Sequence, residues 1–377
     1  MQRTMPLKFG LLLPRSTDYP AMGFDMLEGL RAGLQQVGLP DTQVVTENIG
    51  FGEDESANYA KAERLLLQED VQVMVAYCNA ANAAPLYQLA ASVRRPFIFL
   101  DAGMQLPETA INDYCYHISF QGAHACYLSG RQLASQSQKV LMATSFYDGG
   151  YRGPWSYHVS VAASGGAVCG NYVSGYKVAE FSINDYLDML DKAGADCVAA
   201  CFSTYLAELF FQSLKKEGAK AVSLPFYCAP YMAEEQLLAK CDFPGGTFHA
   251  FVPWASTLDN DQQRVFTSAM HARNKQPNLF QLFGWEAAIM GSYGLEAGAP
   301  ALKGWHYNSP RGGVTVHQNT HHTYAPLYYG NIVAGENGKC AFRVVEQQAV
   351  EASDHTYYQG YENEMVVSGW RNNYFCI

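Results

Sequence analysis

Lys8-Phe-Gly-Leu-Leu-Leu-Pro14 is an apolar run closed by proline, and Met22 to Val37 follows it with Leu27, Leu30 and Leu34 at helical spacing. The run reads as a buried strand. The second stretch reads as an amphipathic helix, because apolar residues three and four apart share one face. The alternation continues along the chain. Thr42 to Glu47 is strand-like, and Ala57 to Gln68 is a helix with Ser56 as its expected N-cap. Val71-Gln-Val-Met-Val-Ala-Tyr77 is a third strand, Ala83 to Ser92 a short helix, and Pro96-Phe-Ile-Phe-Leu100 a fourth strand. Strand and helix alternating at this spacing predict right-handed βαβ units and a parallel sheet. Ligands of such sheets bind beyond the carboxyl ends of the strands, here Pro14–Tyr19, Tyr77–Asn82 and Asp101–Met104.

The pattern then restarts. Gln121 to Gln136 reads as a helix, and Lys139 to Thr144 as a strand that ends in Ser145-Phe-Tyr-Asp-Gly-Gly-Tyr151. Trp155 to Ala163 and Ile183 to Lys192 are helical, and Thr204–Glu217 is a helix between strands Cys197 to Cys201 and Leu224 to Cys228. A chain of 377 residues is long for a single core. A second α/β domain therefore fits better than an extension of the first sheet, and no solenoid-length repeat stands out.

Composition excludes several classes. Hydrophobic residues at 49% against charged residues at 16% are far from the signature of disorder. Lys+Arg 25 against Asp+Glu 35, with no basic cluster, offers no footprint for nucleic acid. No apolar run approaches the roughly 18–20 residues that span a bilayer. No basic start and apolar core precede Leu7, so the chain is expected either to have lost an export signal or to stay in the cytoplasm.

The ten cysteines are scattered and lack C-x-x-C spacing. Cys197 and Cys201 share one strand, which holds them about 13 Å apart, too far for a disulfide. Single cysteines as small core residues is the ordinary reading, and it leans toward a reducing compartment.

The order of elements resembles the branched-chain amino-acid and amide-binding branch of type I periplasmic binding proteins. Lys8–Pro14 followed by Gly23-Phe-Asp-Met-Leu-Glu-Gly29 looks like that family's opening strand and helix. Ala60 to Ala76 looks like its second helix running into strand three. Phe283-Gly-Trp-Glu-Ala-Ala-Ile289 resembles a late helix of lobe one, and Ser309–Val316 with His321–Pro326 resembles the approach to a third inter-lobe crossing. The resemblance extends to about residue 345, and the tail beyond it has no evident place.

What the resemblance implies is an α/β chain of two Rossmann-like lobes joined by a three-crossing hinge. Lobe one would be 1–119 plus 252–327 and lobe two 120–251 plus 328–377. The lobes would close on a small molecule for uptake through an ABC permease, in the periplasm, with no catalysis and no cofactor. An intracellular sensor on the same fold is the alternative, and an inactive protein-interaction module a more distant one. In amino-acid binders of this family, hydroxyl side chains after strands three and four hold the ligand carboxylate. The matching stretches here are Asn79-Ala-Ala-Asn82 and Asp101-Ala-Gly-Met104. Hydroxyls are missing at Ala80, Ala81 and Met104, and Asp101 would repel a carboxylate, so an ordinary α-amino acid is not the expected ligand.

The expected ligand-binding residues are Tyr19, Asn79, Ala80, Asn82, Asp101, Gln121, Tyr147, Tyr151, Trp155, Tyr205, Tyr227 and Trp254. Aromatic faces with a few fixed polar groups suit a neutral or amphipathic solute. The chain is 13% aromatic, so each ring also has a packing explanation. Asn79 and Asn82 can equally cap a helix. Tyr151 and Trp254 are expected on opposite walls, one in each lobe. His317, His321 and His322 form a local cluster in which 317 and 321 would share a helical face. Surface histidines near a hinge are the preferred reading, and no metal is expected. No GxSxG, P-loop, HExxH or glycine fingerprint after strand one is present, and Cys78 lacks a convincing histidine partner, so no enzyme is expected. Non-reducing peptide mapping is expected to recover Cys197 and Cys201 unlinked to each other, and a linked pair would overturn the strand assignment.

Overall fold

A computed structural model describes residues 6–52, 54–77, 83–104, 110–136, 138–148, 152–175, 177–352 and 354. The described chain divides into two units. Residues 6–120 and 258–325 make the first, and 121–257 with 326–354 the second.

Unit one opens with β1 (Lys8–Leu13), α1 (Met22–Gln36), β2 (Gln43–Asn48), α2 (Glu55–Leu67), β3 (Val73–Tyr77), α3 (Ala84–Val93), β4 (Phe97–Asp101) and β5 (Cys115–Ser119). The sheet order is β2-β1-β3-β4-β5, with every pair parallel. Every residue of β3, β4 and β5 is buried, as expected where both sheet faces are covered. β5 has only the mixed string Cys-Tyr-His-Ile-Ser and gives no apolar run to read. The cap of α2 is Asp54, whose Oδ1 accepts the Ala57 N–H at 2.9 Å, and Ser56 lies inside the helix.

Unit two follows with α4 (Gly122–Ala134), β6 (Lys139–Ser145), α5 (Arg152–Ala163), β7 (Ala167–Ser174), α6 (Ile183–Ala193), β8 (Cys197–Cys201), α7 (Thr204–Glu217), β9 (Phe226–Cys228), α8 (Glu235–Leu238) and β10 (Phe248–Val252). The chain returns to unit one as α9 (Asp261–His271), α10 (Leu279–Glu296) and an antiparallel sheet of β11 (His306–Ser309), β12 (Gly312–Val316) and β13 (Thr323–Tyr324). It ends in unit two as β14 (Leu327–Ala334) and β15 (Cys340–Gln348). β15 continues past residue 345, and residues 355–377 lie outside the described chain.

The second sheet has the order β15-β14-β10-β9-β8-β6-β7. Its strands from β10 to β7 are parallel, and β14 and β15 are antiparallel additions. The parallel portion repeats the order of unit one, with the first strand inside and the second at the edge. In each sheet the order reverses beside that first strand, at β1/β3 and at β6/β8, which is where open α/β sheets bind ligands. β7 is an edge strand of mixed composition with few buried positions, so no continuous apolar run announces it. Cys197 and Cys201 both lie in β8, and seven of the eight described cysteines are buried.

Helix α10 docks on α1 at glycines. A Cβ on Gly29 would lie 1.9 Å from the Gln281 carbonyl oxygen, and one on Gly284 2.0 Å from that of Met26. Only glycine lets the two backbones approach so closely. At the start of α10, Asn278 and Gln281 form a capping box, and their side-chain amides donate to Asp25 of α1 at 2.9 and 3.3 Å.

The polar centre of unit one is Arg311 with Glu286, both fully buried. Arg311 Nε donates to Glu286 Oε1 at 2.7 Å and Nη2 to Oε2 at 2.9 Å. Nη1 donates to the Ser119 carbonyl at 2.9 Å, and the guanidinium lies 5.1 Å from the Phe120 ring centre. Ser309 and Tyr307 hydroxyls also donate to Glu286. Removing one partner leaves a buried charge uncompensated. Glu286→Ala is expected to cost about 3–5 kcal/mol in urea unfolding, and a loss below about 1 kcal/mol would mean that water replaces the carboxylate.

Candidate functional site

The strand ends of each unit are built separately. In unit one, the loop after β1 carries Tyr19, whose N–H donates to Ser16 Oγ at 3.0 Å and whose carbonyl accepts the Met22 N–H. Its ring packs edge-on against Phe280 at 5.0 Å, buried. Asn79, Ala80 and Asn82, after β3, lie outside the described residues.

Asp101 closes β4 but points its oxygens inside unit one. Oδ1 accepts the Gly103 N–H at 2.7 Å. Oδ2 faces His117 Nδ1 at 3.5 Å and His322 Nε2 at 3.9 Å. The register pairs Asp101 with Ser119 and Phe99 with His117, so Asp101 and His117 are diagonal neighbours on one sheet face. His117 Nε2 shares a 2.7 Å hydrogen bond with the Tyr87 hydroxyl. The His117 ring stacks between Phe99, at 4.9 Å, and His322, at 4.4 Å. Burial, and then the neighbouring His117, push His322 down to about 3 against the opposing pull of Asp101.

The histidine cluster is not a surface feature. Residues 317–322 form a turn, with the His321 N–H donating to the His317 carbonyl and the His317 N–H to that of His322. His317, His321 and His322 are all buried. His321 Nδ1 donates to the carbonyls of Asn112 and Cys115, and His317 Nδ1 meets Thr320. The helical pairing of 317 with 321 therefore does not occur, and only His322 joins Asp101.

In unit two, the loops after β6 and β8 are tied together by Asp148, which is fully buried. Its Oδ2 accepts the Ser145 hydroxyl at 2.6 Å and the Ser203 N–H at 3.0 Å. Its own N–H donates to Ser145 Oγ at 2.9 Å. The knot bridges the point where the strand order reverses. Tyr147 is buried beside it, Trp155 and Tyr205 are half-buried on the first turns of α5 and α7, and Arg152 is buried at the start of α5. Thr204 and Gln121 hold left-handed backbone at φ 50° and 53°, the second directly after the chain enters unit two. Non-glycine residues keep such angles only where the surroundings over-determine them.

Two expectations move. Tyr227 packs inside unit two: its ring lies 4.9 Å from that of His249, and its hydroxyl donates to Gln136 beyond the end of α4. That hydroxyl lies toward the amino ends of the strands, so Tyr227 is a core residue. The second passage between units falls at Thr257/Leu258 rather than near 252, so Trp254 belongs to unit two with the end of β10. It is buried there, and nearby Glu235 accepts both the N–H and hydroxyl of Ser256 at 3.0 Å. Tyr151, expected on the wall opposite Trp254, lies outside the described residues. His117, Asp148, Arg152 and Ser203 lie outside the set of expected site residues. Asp148 stood in the aromatic string after β6, whereas nothing local marks His117.

The periplasmic binding protein family model matches residues 6–339, and the chain belongs to that family, whose members bind solutes and are not enzymes. Among solved structures, one similar chain is the solute-binding protein of an ABC transporter from Rhodopseudomonas palustris HaA2 in complex with p-hydroxybenzoic acid. It is 18% identical, with 92% of this chain and 98% of that one covered and a TM-score of 0.75. An ABC transporter substrate-binding protein from Sphaerobacter thermophilus is also 18% identical, over 91% and 98%, at 0.76. A solute-binding protein from R. palustris in complex with benzoate is 20% identical, over 92% and 98%, at 0.71. No curated protein matches. No helix of the described residues is long and apolar enough to cross a membrane.

Asp148→Ala strands the buried Ser203 N–H and frees the loop after β6. The expected loss is about 1–3 kcal/mol, read by chemical denaturation, and an unchanged midpoint would show the knot to be dispensable.

Proposed function

We propose that the chain binds a small amphipathic or neutral solute carrying an aromatic ring, and delivers it to an ABC-type permease from the periplasm. The observation that carries this reading is the make-up of the strand ends. Tyr19 in unit one and Tyr147, Trp155, Tyr205 and Trp254 in unit two follow carboxyl strand ends or begin the next helix, the position where open α/β sheets take ligands. Gln121 starts unit two beside the passage between units. Rings of this kind offer large apolar faces at low entropy cost and leave selectivity to a few polar groups. The solved chains with p-hydroxybenzoic acid and benzoate support the aromatic class.

Asp101 bears less on ligand charge than its position in sequence suggests, because both its oxygens face groups of unit one. Arg152 is a buried cation at the ligand end of unit two. A ring with one carboxylate is therefore compatible with the site, whereas a branched-chain amino acid would find no hydroxyls at Ala80, Ala81 and Met104, the positions that the family resemblance gives to holding its carboxylate.

An intracellular sensor on the same fold is the second reading. It is favoured by the eight described cysteines, none of which is in a disulfide. Fractionation of cells expressing the natural gene separates the two: periplasmic recovery supports uptake, and cytoplasmic recovery supports the sensor.

Native mass spectrometry of freshly purified protein identifies what co-purifies, and calorimetry measures it. Trp155→Ala and Trp254→Ala are each expected to weaken that ligand by about one to three decades, with melting largely spared. Leucine, isoleucine and valine are expected to bind weakly or not at all. Submicromolar affinity for any of them would sink the aromatic reading, and unchanged affinity with a large fall in melting temperature would make the tryptophans core residues.

A further inference from the structure

Asp101, His117 and His322 are only 5%, 1% and 2% exposed. One atom from each, Asp101 Oδ2, His117 Nδ1 and His322 Nε2, lies within 4.8 Å of the others. We propose that these three atoms form a binding site for one divalent transition-metal ion, zinc being the best match, inside unit one.

The geometry is that of a coordination edge rather than of a hydrogen bond. Oδ2 stands 3.5 Å from His117 Nδ1 and 3.9 Å from His322 Nε2. A charge-assisted N–H···O bond is shorter, about 2.7–2.9 Å. Ligands held at about 2.0–2.2 Å from one ion at right to tetrahedral angles sit about 3–3.6 Å apart. The His117 and His322 rings stack at 4.4 Å, inclined by 22°, and their Nδ1 and Nε2 atoms lie within 4.8 Å of each other and of Asp101 Oδ2. Binding an ion would draw the three atoms in from within 4.8 Å of one another to the spacing of a coordination sphere.

The far side of each ligand is already fixed, as the outer partners of a metal site are. Asp101 Oδ1 accepts the Gly103 N–H at 2.7 Å, leaving Oδ2 to face the rings. His117 Nε2 bonds the Tyr87 hydroxyl at 2.7 Å, leaving Nδ1. His322 Nδ1 donates to the Thr320 carbonyl at 2.7 Å, which puts the proton on Nδ1 and the lone pair on Nε2. That lone pair faces a carboxylate oxygen, an unfavourable juxtaposition that a cation between them reverses. Asp101 Oδ2 and His117 Nδ1 are buried without a hydrogen-bond partner, a state that costs free energy unless something else satisfies them.

Two imidazoles and one carboxylate suit zinc, cobalt or nickel. Calcium and magnesium prefer oxygen-only sets. The ion would join the end of β4, the middle of β5 and the turn before β13, three segments remote in sequence. It would therefore stabilise unit one by its binding free energy. The inference does not rest on the identity of the solute.

The test uses the full chain without a histidine tag, stripped with chelator and kept reduced. Titration with zinc chloride or cobalt chloride is expected to give one ion per chain and to raise the melting temperature by about 5 °C at saturating metal. Asp101→Asn and His322→Ala should each lower affinity at least about a hundredfold, while His271→Ala, at an exposed position, leaves it unchanged. X-ray absorption of the cobalt-loaded wild type should give two imidazole nitrogens and a carboxylate oxygen, and it decides the matter even if a variant fails to fold. No stoichiometric binding by wild type, binding undiminished in both variants, or sulfur in the donor set would each overturn the proposal.

Discussion

A guanidinium with no access to water must find all of its partners inside the protein, and Arg311 finds them at the two places where the chain leaves unit one. Its fork takes both oxygens of Glu286 on α10. Nη1 takes the carbonyl of Ser119 at the end of β5, Nη2 reaches Thr323 Oγ1 on β13 at 3.2 Å, and the plane lies over Phe120. Phe120 and Ala325 are the last residues of unit one before two of the passages to unit two. Burying such a pair brings little net stability against a well-packed apolar core. What it does is fix one arrangement, because any shift of α10, β5 or β13 leaves a desolvated charge without its partner.

Unit two solves the corresponding problem with a single acid. Asp148 ends the turn after β6 and binds the N–H that opens the turn after β8. Those strands flank the reversal in strand order, so the loops free to meet a ligand hang from a buried, hydrogen-bonded carboxylate. The rings beside it, Tyr147, Trp155 and Tyr205, are carried on elements anchored there. A parallel sheet thus supplies position, and a few buried polar groups supply rigidity.

The elements legible in sequence were those with a long apolar period. β1, β3, β4, β6 and β8 are continuous apolar runs because both faces are covered, and α1, α7 and α10 carry an apolar stripe or run. β5 and β7 escaped notice because their composition is mixed, one enclosing a histidine and the other lying at an edge. The strand ends follow from the same periodicity, and Tyr19, Tyr147, Trp155 and Tyr205 lie in the loops or first helical turns beyond them. Tyr227 was misjudged for a related reason. A strand residue's distance from the carboxyl end is visible in sequence, but the direction its side chain takes is not.

The sequence by itself determined the alternation of strands and helices, hence the parallel strands of two α/β sheets, the loops at their carboxyl ends and the thiols buried in strands. Local period and composition carry that information, because burial on a sheet or helix face is a nearest-neighbour property of the chain. Only the tertiary structure decided which distant side chains meet. Asp101 with His117 and His322, Arg311 with Glu286 and Ser119, and Asp148 with Ser203 are encounters set by strand register and crossover. No pattern along the chain encodes a diagonal across two strands or the return of a segment two hundred residues later. Polar groups there are held by geometry that exists only once the sheets have formed.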